Sequence, residues 1–232
     1  MRRLTLRFVV AVFTFIVGVA VATFFVVHKT SLLSKHERSS LPTCFPGLSV
    51  KVNKAGSDPA LYFPEGVFNG NMWQNQFFAD WYSQYLAAMN EPSLLFGEDG
   101  DIESYRFLWL RSFHHPVVVR LWRSGGKKFL VVKQLDGVGG ERTPGTLLIN
   151  KTRPISEDEW ERLLYLLEQS CFWKLPTKNS SPEGEDGAQW LVEGSKEGHY
   201  HVVDRWSPKD GSYREIGIYL LKLAGFETDD VY

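Results

Sequence analysis

Residues 117–135 read VVVRLWRSGGKKFLVVKQL. Two apolar runs, 117–123 and 128–135, flank Ser124-Gly125-Gly126-Lys127. Each run is short, rich in β-branched and aromatic residues and bounded by turn residues, which is the signature of a strand. Glycine reaches positive φ at little steric cost, so the Gly125-Gly126 pair predicts a tight hairpin. Two strands joined this closely must pair antiparallel.

Reading upstream, residues 105–113 place Tyr105, Phe107, Trp109, Arg111 and Phe113 on one face and Arg106, Leu108, Leu110 and Ser112 on the other. Both faces are apolar near the middle, which predicts a central strand buried on two sides. Asn71 is placed to cap a helix running to about Asn90. Its Trp73, Phe77, Phe78, Trp81, Tyr82, Tyr85, Leu86 and Met89 recur at helical spacing, a stripe expected to be core. A short strand at residues 48–52 is also expected.

Reading downstream, residues 146–153 suit a fourth strand, and Ser156 with Glu159 forms a capping box. The helix it opens ends near Ser170 and carries Trp160, Leu163, Leu164 and Leu167 on one face. A second hairpin joins residues 188–193 to 199–206 across Ser195 to Gly198. Ser212 with Glu215 predicts another capping box, on a helix that Gly225 stops. Grouped strands joined by hairpins make an α+β domain, an antiparallel sheet with helices packed mainly on one face.

Before this domain the composition changes. Residues 8–27 are an almost unbroken apolar run preceded by Arg2, Arg3 and Arg7. About 20 such residues cross a roughly 30 Å hydrocarbon core as one helix. The run exceeds the apolar region of a cleavable signal, and no small-x-small site follows it, so the expectation is a retained single-pass signal anchor. Arginines crowd the N-terminal flank, which favours a cytoplasmic N-terminus and an extracytoplasmic main domain. The expected organisation is a basic flank at 1–7, a transmembrane helix at 8–27 in contact with the lipid bilayer, a polar tether at 28–44 and one domain at 45–232. The formal charge of -1 argues against a nucleic-acid partner.

His199 and His201 lie two apart on a predicted strand and so share a face. A catalytic or structural zinc needs three or four converging ligands, and His114 or His115 is the candidate third. Asp204 falls on the face opposite His201, and the expected role is structural, with Asp204 or Arg205 pairing with a neighbour such as Arg111 or Glu193. Cys44 and Cys171 are the two cysteines, a candidate disulfide in an oxidising compartment. Nucleophile and phosphate-loop patterns are unconvincing. Ser124 and Lys127 match Ser-x-x-Lys without its companion motifs, and the loop from Gly137 to Gly145 lacks the Lys-Ser/Thr pair. No catalytic residue and no cofactor follow from these patterns.

The expectation is therefore a non-enzymatic, membrane-anchored binding or interaction module with a protein partner. A metal-assisted hydrolase built on His199, His201, His114 and His115 is the first alternative. A carbohydrate or cell-wall binder using surface aromatics, drawn from 16 Phe, 9 Tyr and 8 Trp, is the second.

Overall fold

The computed structural model describes residues 44–51, 61–68, 71–95, 102–141, 143–179, 184–228 and 231–232. The expected basic flank, transmembrane helix and all but the last residue of the tether lie outside the described residues. Among the described residues, no helix is long and apolar enough to cross a membrane.

Seven strands form one antiparallel sheet. They are β1 (Val50–Lys51), β2 (Glu103–Arg111), β3 (Val117–Ser124), β4 (Lys127–Leu135), β5 (Leu147–Pro154), β6 (Ala188–Lys196) and β7 (His199–Trp206). Their order across the sheet is β1-β7-β6-β2-β3-β4-β5. The helices are α1 (Met72–Ala88), α2 (Glu157–Gln169) and α3 (Ser212–Ala224). Gly125 and Gly126 sit at φ 54 and 79 in the β3–β4 turn, the conformation that two-residue hairpins require.

Strand β2 is central, between β6 and β3, and is buried from Glu103 to Leu110. On one face Tyr105, Phe107, Trp109, Val119 and Trp190 pack against Trp160 and Leu163 of α2 and Ile216 and Leu220 of α3. On the other, Leu108, Leu110, Val118, Leu191 and Val202 pack against Tyr82, Tyr85, Leu86 and Met89 of α1. The α+β expectation holds, but the helices are divided, two on one face and one on the other. An apolar central strand leaves two faces that need cover, and one helical layer covers only one. Gly217 lets α3 come close to the sheet, since a Cβ there would collide with the Trp190 ring.

The capping boxes at Asn71/Gln74 and Ser156/Glu159 are both formed. The one expected at Ser212/Glu215 is not. Gly211 takes the capping position and its carbonyl accepts from Glu215 N–H, so Ser212 is already the first helical residue. Cys44 is buried and joined to Cys171 by a disulfide with Cα atoms 5.3 Å apart. It belongs to the folded domain rather than to the tether.

Candidate functional site

His199 and His201 share a face of β7 but meet different surroundings. His199 Nδ1 lies 3.1 Å from Ser49 Oγ, and its ring abuts Phe45. His201 is buried against Phe172 and Trp173 and donates from Nε2 to the Leu175 carbonyl at 3.0 Å. His114 Nδ1 pairs with Tyr232 Oη at 2.9 Å, and His115 Nδ1 lies 2.9 Å from the Gly137 carbonyl. Both follow Arg111, at the far end of β2 from Ser104, whose partner Ser195 lies beside the His199 end of the sheet. Seven residues at about 3.4 Å each separate those ends by roughly 24 Å. The four histidines do not converge, and among the described residues no group of three or more His, Cys, Asp or Glu could hold a metal ion.

His201 instead shapes the response to acid. Burial drives its imidazole down from the ordinary 6.5 to about 4, against the opposing hydrogen bonds of Leu175 and Phe172. The unfolded chain takes up a proton below pH 6.5 that the folded chain refuses until about 4. Stability is therefore complete above 6.5 and falls as pH drops through that window. At about 1.4 kcal/mol per pH unit, the loss approaches roughly 3 kcal/mol. Denaturant midpoints measured from pH 7 to pH 4 should show this slope, and His201→Gln should flatten it. An unchanged slope in the variant would locate the proton uptake elsewhere.

Asp204 does lie opposite His201, and its carboxylate is met from α1 and from the chain before β6. Tyr82 Oη donates to its Oδ2 at 2.7 Å, and Lys178 Nζ stands 3.3 Å away. Arg205 donates to the carbonyls of Thr177 and Pro176.

The most heavily charged interior of the described domain lies beneath the chain that follows α1. Register places Arg106 of β2 opposite both Glu193 of β6 and Arg120 of β3. Arg106 is fully buried and grips Glu193 with two bonds, Nε to Oε2 at 2.7 Å and Nη2 to Oε1 at 2.8 Å. Tyr200 Oη adds a third bond to Glu193 at 2.9 Å. Burial and the adjacent Glu193 push the Tyr200 phenol well above its ordinary range, so it stays a donor. Glu91, just beyond α1, is faced by three cations. Arg120 Nε stands at 2.7 Å, Lys133 Nζ at 2.9 Å and Arg106 Nη1 at 3.5 Å. Burial raises the Glu91 carboxyl, but the three cations outweigh it and hold the group below its usual range. Lys133 also donates to the Met89 and Asn90 carbonyls at the C-terminal end of α1.

Over this cluster lies a cavity of about 310 Å³. Residues 92–94 and Ile102 wall it, and side chains from five strands floor it, among them Ser104, Arg120, Trp122, Val131, Thr152 and Ser195. Its volume falls at the small end of ligand pockets.

A second feature is the aromatic stripe of α1. Its C-terminal part is core as expected, with Tyr82, Tyr85, Leu86 and Met89 buried. Its N-terminal part is not. Met72, Trp73 and Phe77 are 86, 73 and 49 % exposed, and the Trp73 and Phe77 rings stack at 5.8 Å. On the opposite side of the same turns Asn75 is buried, accepting from Phe68 N–H, and Phe78 packs on Phe68.

The sequence reading passed over Glu91, Arg106, Arg120 and Lys133. A signal was present, because Arg106, Arg120, Lys133 and Glu193 each directly follow or precede apolar residues inside a strand. Charges at such positions are buried only when paired. Compared with protein-family models, curated proteins and solved structures, the chain gives no match.

Proposed function

We propose that this chain is a membrane-anchored interaction module with an extracytoplasmic domain, docking a protein partner through the Met72–Trp73–Phe77 ridge. The observation that carries the reading is the exposure of these three large side chains on a helix whose capping box holds its first turn rigid. Tryptophan is among the residues enriched at interface hot spots. The apolar run at 8–27 and its basic flank support the anchor and its orientation. A mature chain beginning beyond residue 27 would remove that part of the proposal.

The docking is tested by placing a photo-cross-linker at Met72 in the full-length chain in its native membrane. A discrete protein adduct is expected, absent when the cross-linker stands at the exposed Glu185 instead. With that partner purified, Trp73→Ala should weaken binding about 30-fold, the effect of losing a hot spot of roughly 2 kcal/mol. Equal adducts from both positions, or unchanged affinity, would reject the ridge. Quenching of tryptophan fluorescence by glycans, lost in Trp73→Ala, would reassign it to carbohydrate.

A further inference from the structure

We propose that the cavity over the Glu91 cluster binds a small amphipathic monocarboxylate, with its anionic group on Arg120 and Ser195 and its apolar part against Leu94, Trp122 and Val131. This site is separate from the α1 ridge and does not depend on it.

The charge count comes first. Three cations, Arg106, Arg120 and Lys133, share two carboxylates, Glu91 and Glu193. None of the five side chains is more than 12 % exposed. Buried ions are tolerated when paired, and an excess charge favours a counter-ion.

The bonding pattern locates the excess. Glu193 is committed to Arg106 and Tyr200. Lys133 directs hydrogen bonds to two carbonyls at the C-terminal end of α1, where the helix dipole supplies about half a negative charge. Arg120 is left to share Glu91, which it reaches through Nε. Its side chain also lines the cavity. A guanidinium that already points one edge at a carboxylate can still present its other donors to a second one.

The second observation is independent of charge. Ser195, a residue only 7 % exposed, lines the same cavity as Arg120. A serine hydroxyl on a cavity wall can donate to a ligand oxygen. A ligand oxygen on Arg120 is placed to accept from it, while the apolar wall excludes a bare hydrated anion such as chloride or phosphate.

The test uses the full chain in lipid nanodiscs, with 3-phenylpropanoate as probe at pH 7 and equilibrium dialysis corrected with empty nanodiscs. Its neutral counterpart 3-phenylpropanol should bind at least tenfold more weakly, and 3-phenylpropylamine should not bind. Arg120→Gln should weaken the acid at least tenfold and leave the alcohol within about twofold. Should that variant unfold, Thr152→Phe keeps the question open to decision, since it fills the cavity from an exposed strand position and should abolish binding of the acid. Equal binding of acid and alcohol, binding that persists in Thr152→Phe, or no binding of the acid would each overturn the proposal.

Discussion

Arg106→Ala should cost the domain about 3–5 kcal/mol, the range for removing one partner of a buried ion pair. Total stabilities of about 5–15 kcal/mol make that a large fraction. The side chain is fully buried and serves four acceptors: both oxygens of Glu193, the Pro92 carbonyl at 2.7 Å and, at longer range, Glu91. Its loss strands the Glu193 carboxylate with Tyr200 as its remaining donor. The penalty is the uncompensated charge more than the lost contact. Arg106→Met combined with Glu193→Leu should therefore recover at least half of the loss, because the pair leaves together and apolar volume replaces it. Urea denaturation at pH 7 measures both. A single variant costing under about 1 kcal/mol, or a double variant as unstable as the single, would show that the pair is not the buried anchor described.

Opening the Cys44–Cys171 bridge should have an effect of similar size. The cysteines are 127 residues apart in sequence. The chain-entropy relation assigns about 5 kcal/mol to a loop of that length, and measured bridges commonly give about 2–4 kcal/mol. The closed loop contains β1 to β5, α1 and α2, so the unfolded ensemble loses much freedom when it forms. The native contacts around the bridge do not depend on it. Leu48 N–H donates to the Trp173 carbonyl at 2.6 Å, and the Phe45 ring meets Trp173 edge-on at 5.0 Å. The reduced protein should thus keep its fold with a lower denaturation midpoint. Thiol titration of the oxidised, denatured protein should find no free thiol, and two after reduction. Two thiols before reduction, or a midpoint indifferent to reductant, would contradict the bridge. Such a bridge also accords with the proposed extracytoplasmic position, since oxidising compartments retain disulfides.

Much of the local architecture was legible because its causes are local. Gly125-Gly126 specifies its hairpin through φ alone, and Ser156 with Glu159 specifies a helix start through two reciprocal hydrogen bonds. Where a neighbouring residue competed, local reading failed, as when Gly211 displaced Ser212 from the capping position. The alternation in residues 105–111 correctly marked β2 as buried on both sides. It was silent about what would cover each side, so α1 on the second face was not foreseen. The helical spacing of the α1 stripe was equally accurate and equally incomplete. Periodicity identifies which residues share a helix face, but burial depends on what packs opposite that face, and Met72, Trp73 and Phe77 stay exposed.

The candidate site lies at the limit of what sequence reasoning reaches. Arg106 and Glu193 are 87 positions apart and meet only because β6 pairs with β2 rather than with β5. Glu91 reaches its three cations because the chain leaving α1 turns back over the sheet. The histidines show the converse, with two sharing a strand face by simple alternation and the other two carried to the opposite end of β2.

The amino-acid order alone determined the apolar leader, the hairpins, two of the helix starts and the α+β class, since each follows from interactions spanning a few residues. Strand order, the cover of the second sheet face, the buried charge cluster and the exposed ridge were decided by the tertiary structure. Those features arise from contacts between distant segments, which strand pairing and helix packing bring together and which no local pattern encodes.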